Sequence, residues 1–105
     1  MLTIDSERNL QTVIMTYEVT PGTFMDVLET LSAAYKTFIS KQPGFVAAAI
    51  HTNDAQTRVA SYSQWENREA FQAVLRSDDM RKANRKLSDL SKSFIPVMYD
   101  VVAVF

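Results

Sequence analysis

The chain has no cysteine. This excludes disulfides, thiol catalysis, thiolate-held iron–sulfur clusters and cysteine-based zinc sites, and it fits a reducing, cytoplasmic location. A single histidine, His51, is too few for a histidine-rich metal site within one subunit. Neither sign of charge predominates. Eleven Lys and Arg against twelve Asp and Glu leave a net charge of −1, so no general attraction to nucleic acid is expected. No apolar run approaches the ~20 residues of a membrane span. The opening MLTIDSERNL has no basic region followed by an apolar block, so neither a membrane partner nor an export signal is expected. Internal repeats, low-complexity tracts and linkers are also missing.

What remains is a chain of 105 residues, 47% hydrophobic and 22% charged. It is too apolar for disorder, and its length suits one domain. Residues 1–11 are of mixed character and read as an arm; residues 12–105 read as the domain.

Thr12 to Val19 alternates as a strand, with Val13, Met15 and Tyr17 on one face. Thr20-Pro21-Gly22-Thr23 ends it, with Thr20 or Thr23 as a helix cap and Pro21 in a first helical turn. The spacing of Phe24, Val27, Leu28, Leu31, Tyr35, Phe38 and Ile39 predicts a helix to about Lys41, and Pro43-Gly44 stops it. Phe45–Thr52 and Thr57–Trp65 read as a hairpin around Asn53-Asp54. The run of Ala47 to Ala49 leaves space above its first strand. Asn67 and Ser77 are placed to cap two helical segments, the second running to about residue 92. Pro96 closes this region, and Val97–Phe105 alternates as a fourth strand.

The order β-α-β-β-α-β predicts an α+β fold, a ferredoxin-like antiparallel sheet with its helices on one face. The fourth strand is apolar on both faces apart from Asp100. Helices can cover only one face, so the other is expected to meet a second subunit in a homodimer, packed sheet to sheet about a two-fold axis.

Arg58 to Leu75, RVASYSQWENREAFQAVL, is the stretch around which the rest is organised. It starts as a strand and breaks into a helix at Glu66-Asn67. Residues two apart on a strand share a face. Ser61, Ser63 and Trp65 therefore form a small polar group between sheet and helices.

Gln42-Pro43-Gly44-Phe45-Val46, then Ile50-His51, then Ser61-Tyr62-Ser63-Gln64-Trp65-Glu66-Asn67-Arg68-Glu69-Ala70-Phe71 resembles the antibiotic biosynthesis monooxygenase family over roughly residues 12–105. The resemblance implies a small dimeric α+β barrel. Some members oxidise polycyclic phenolic compounds to quinones with neither metal nor flavin, and others degrade haem. Quinone-forming members are similar to this chain at Trp65 and Arg85, but carry Asn in place of Ser61 and Tyr in place of Phe71. Haem-degrading members carry a His ligand where this chain has Asn84, and an Asn where it has Met15. An amide is a poor haem ligand, which sets haem below quinone formation.

The expected function is therefore cofactor-free oxidation of a planar aromatic substrate. Trp65, Ser61, His51 and Arg85 are the catalytic candidates, and Phe71, Phe38, Ser63 and Asn84 the substrate-binding ones. No cofactor and no metal are expected. Each residue has a plainer role as well. Trp65 closes a core, the serines bond to backbone, His51 ends a strand at the surface, and Arg85 is solvated on a regular helix, opposite the Met80–Ala83–Leu87 stripe. A dimeric binding module for a small hydrophobic metabolite is the alternative function.

Overall fold

The structure, a computed structural model, describes residues 2–105. Its elements are β1 (Gln11–Glu18), α1 (Phe24–Thr37), a 3-10 turn (Ile39–Lys41), β2 (Phe45–Thr52), β3 (Arg58–Trp65), α2 (Arg68–Arg76), α3 (Asp78–Leu90) and β4 (Ser93–Tyr99). The four strands form one open antiparallel sheet in the order β2-β3-β1-β4. All three α-helices cover the same face, the ferredoxin-like arrangement expected from the sequence.

Period-two patterning decides which face they cover. Val13, Met15 and Tyr17 on β1 and Val59, Ser61, Ser63 and Trp65 on β3 are all buried, in register with one another. Val27, Leu31 and Tyr35 from α1, Phe71 and Val74 from α2, and Met80 and Leu87 from α3 complete this core. Burying these side chains supplies the main stabilisation, about 1.5–3 kcal/mol for each large apolar one.

Local chemistry sets the junctions. Asn67 caps α2 by accepting from the Ala70 amide at 2.9 Å, and Ser77 caps α3 by accepting from the Met80 amide at 3.2 Å. At the hairpin, Asn53 Oδ1 accepts from the Thr57 and Arg58 amides at 3.0 and 2.9 Å. Gly44 has φ +85°, and a Cβ there would lie 2.5 Å from Ala70 Cβ. Only glycine permits this approach of β2 to α2.

Three expectations are corrected. β4 runs from Ser93 to Tyr99, so Pro96 lies inside it and residues 100–105 form no strand. Tyr99 pairs with Thr12 near the start of β1, leaving little strand for later residues to pair with. Pro96 is tolerated because β4 is an edge strand. Pro21 precedes α1 in a turn, and Thr23 occupies the cap position without a side-chain capping bond. The long first helix ends at Thr37, where Phe38 leaves helical geometry before the 3-10 turn.

Residues 2–10 form the arm, and Thr3 lies against the uncovered face. Gln64 Nε2 donates to the Thr3 carbonyl at 2.7 Å. No helix among the described residues is long and apolar enough to cross a membrane.

Candidate functional site

β3 carries Ser61, Ser63 and Trp65 inward, and the helices close over them. Ser61 is 0% exposed and Trp65 1%. The indole meets Phe45 edge-on, with ring centroids 5.3 Å apart, and Phe71 at 5.7 Å. Trp65 Nε1 donates to Ser63 Oγ at 3.0 Å, which satisfies a donor that burial would otherwise strand. Ser63 Oγ in turn donates to the Val13 carbonyl at 3.4 Å. Trp65, Ser61, Ser63 and Phe71 thus belong to one closed layer.

Tyr35 joins this layer to the surface. It lies on the buried stripe of α1, and its hydroxyl donates to Ser61 Oγ at 3.1 Å. Its ring lies 6.4 Å from that of Phe45. Burial raises the Tyr35 pKa above the ordinary phenol value, while the Ser61 and Ser63 hydroxyls pull it part of the way back. Burial, reinforced by Tyr35, also raises the pKa of Tyr17. Both phenols therefore stay protonated at neutral pH.

Tyr35 also lines an open cleft of about 600 Å³ between α1 and the edge strand β2. Ser32, Lys36 and Ser40 form one side, and Phe45 to Ile50 the other, with Leu2 of the arm at the margin. The size is that of a small-molecule site. The alanines of β2 leave the room, as their side chains suggested. Among the described residues no carboxylate or imidazole lines the cleft, and Lys36 brings its one charged side chain. It can supply apolar and aromatic walls, serine hydroxyls and a cation.

The other sequence candidates lie apart. His51 pairs with Ala60 in the register and is exposed on the uncovered sheet face. Arg85 is exposed on α3, beside a hollow of about 450 Å³ shared with Arg81, Asn84, Ser88 and Phe94. That hollow has no lining residue in common with the α1–β2 cleft. Phe38 sits at the seam of α1 and α3. Asn84 Oδ1 is buried with no hydrogen-bond partner among the described residues, and Met15 lies within the core. No three His, Cys, Asp or Glu side chains gather as a metal site among the described residues.

Sequence reasoning passed over Tyr35 and Lys36 for a physical reason. Tyr35 falls on the helical stripe and reads as core. Its signal was a hydroxyl on an otherwise apolar stripe, which requires a polar partner when buried. Ser61 is that partner.

Solved structures share the fold. A putative antibiotic biosynthesis monooxygenase from Nitrosomonas europaea is 16% identical, with a TM-score of 0.79 over 96% of each chain. The monooxygenase from the gene ActVA-Orf6 of Streptomyces coelicolor, solved in complex with Nanaomycin D, is 24% identical, with a TM-score of 0.74 over 90% of this chain and 89% of that one. SnoaB, a cofactor-independent oxygenase from Streptomyces nogalater, is 19% identical in a mutant form, with a TM-score of 0.72 over 91% and 96%. A search of curated protein sequences gives no match. The profile described as Antibiotic biosynthesis monooxygenase matches residues 10–86. With that match across most of its length, on a sheet and helices of the same arrangement, the chain belongs to the antibiotic biosynthesis monooxygenase family.

Proposed function

We propose that the protein is a cofactor-independent monooxygenase that converts a planar phenolic compound to a quinone, working as a cytoplasmic homodimer. The observation that carries this reading is the α1–β2 cleft, which is lined by Phe45 and Tyr35 and so abuts the Trp65–Phe45 aromatic layer. Family membership supports the reaction class.

The chemistry asks little of the protein. A methylene flanked by two aromatic rings, and conjugated through them with a carbonyl across the central ring, loses a proton to give a delocalised carbanion. The carbanion passes one electron to dioxygen, and the radical and superoxide combine to form a C–O bond. The peroxide takes up a proton and loses water, leaving a carbonyl: CH₂ plus O₂ gives C=O plus H₂O. The substrate supplies the electrons and dioxygen accepts them. The chain's part is to hold the rings against Phe45 and Tyr35, limit water and stabilise negative charge on oxygen. Ser61 and Ser63 act through Tyr35, fixing its hydroxyl. No carboxylate or imidazole lines the cleft among the described residues, so the substrate's own acidity drives the deprotonation and solvent water takes the proton.

Oxygen uptake with an anthrone under metal-free conditions tests the proposal. Uptake above buffer, reduced at least tenfold in Trp65→Phe or Tyr35→Phe, is expected. No uptake above buffer contradicts it.

A second reading, a binding module without turnover, is favoured by one set of positions. Ser61 is fully buried and engaged by Tyr35, Phe71 has no phenol, and Arg85 lines a different hollow. Saturable quenching of Trp65 fluorescence with no oxygen consumption would select it.

The dimer reading rests on the uncovered sheet face. Ile95, Val97 and Tyr99 are 56%, 37% and 46% exposed there. A self-complementary pair of such faces buries all six side chains about a two-fold axis. Sedimentation as a monomer at micromolar concentration would contradict it.

A further inference from the structure

We infer that the α1–β2 cleft takes its aromatic ligand as the anion, with the Lys36 ammonium as its charge partner. This rests on the reading that the cleft is the substrate site, and it narrows the substrate class to aromatics bearing an ionised oxygen, a phenolate or enolate above all.

Three observations carry it. Among the described residues, Lys36 is the only one with a charged side chain lining the cleft, and no Asp or Glu lines it. Among the described residues, no carboxylate lies within ion-pair distance of Lys36; the ion pair formed is between Arg58 and Glu18. The rest of the lining is aromatic, aliphatic or hydroxyl-bearing, with small alanines giving a flat, roomy wall on the β2 side. A bare ammonium at the margin of an apolar slot attracts a planar ring whose negative charge sits at its edge. A neutral ring of the same shape gains the apolar contact alone, and a cationic one is repelled. The preference also suits oxidation, since the ionised substrate is the form that gives an electron to dioxygen.

The test compares two probes of nearly equal shape, anthracene-2-carboxylate and anthracene-2-carboxamide. Both are titrated anaerobically into the full-length protein by calorimetry at low ionic strength. The carboxylate is expected to bind about fivefold tighter, the upper range for a charge pair open to water. The preference should fall to about one in Lys36→Gln, survive in Lys36→Arg, and shrink in 0.5 M salt as screening predicts. Lys82→Gln, on exposed α3, should leave it unchanged. Equal affinity of the two probes for the wild type, a preference that persists in Lys36→Gln, or no saturable binding of either probe would overturn the inference. The titration involves no turnover, so failure of oxygen uptake with an anthrone leaves this result to stand or fall by itself. A lost charge preference beside intact oxygen uptake would remove the inference and leave the oxygenase reading in place.

Discussion

The Trp65 layer and the α1–β2 cleft are neighbours built to opposite ends. In the layer, every large ring is packed and the Trp65, Ser63 and Ser61 polar groups are paired. In the cleft, three alanines and an edge strand leave space, and an ammonium has no partner carboxylate among the described residues. Tyr35 belongs to both, its hydroxyl bonded to Ser61 while the residue also lines the cleft. The contrast separates stability from recognition. Residues of the layer hold the fold and position the phenol, whereas residues of the cleft can vary with the ligand at little cost to folding.

Substitutions should reveal that separation. Trp65→Ala removes the largest fully buried side chain and the donor to Ser63, so a loss of about 3–5 kcal/mol is expected in urea unfolding followed by circular dichroism. A loss under 1 kcal/mol would show that the layer is looser than its packing indicates. Gly44→Ala forces a Cβ into Ala70 at positive φ, and should cost about 2 kcal/mol or more in the same assay. Tyr35→Phe keeps the ring and deletes one hydrogen bond to a buried serine. About 1 kcal/mol is expected, with a much larger proportional effect on oxygen uptake. Lys36→Gln should change stability by less than about 0.5 kcal/mol, because the side chain is exposed and unpaired among the described residues.

The buried phenols add a pH test. Tyr17 and Tyr35 have folded-state pKa values raised above the unfolded value of about 10. Below pH 10 both states hold these protons and the contribution to stability is constant. Above pH 10 the unfolded chain releases them while the folded chain retains them, so stability falls as pH rises. Urea midpoints should therefore decline above pH 10, and less steeply in Tyr17→Phe. An unchanged slope in that variant would mean that Tyr17 ionises over the same pH range in the folded and unfolded chains.

Much of the fold was legible because it follows from local rules. The alternation of Arg58–Trp65 fixed which side chains face the helices, and Asn67 and Ser77 cap where their chemistry places them. The extent of β4 was not legible. Val101 to Phe105 has the composition of a strand, but β1 begins at Gln11 and offers it no continuing ladder. Pairing length is a property of two segments, and periodicity reports on one. What was legible was that Ser61, Ser63, Trp65 and Phe71 come together beneath the helices, in the closed layer beside the cleft. The cleft was not, because it depends on how far α1 stands from the β2 edge. His51, Arg85 and Asn84 lie away from both: strand alternation puts His51 on the uncovered face, and the helical period turns Arg85 away from the Met80–Leu87 stripe, as its plainer reading had it.

The most direct test of the division between closed layer and open cleft is a titration of ¹⁵N-labelled protein with anthracene-2-carboxylate, followed by amide shifts. The account predicts saturable shifts concentrated at residues 32–40 and 45–50, with the amides of 81–88 unmoved. Shifts centred on Arg81, Asn84 and Arg85, or none at saturating probe, would contradict it.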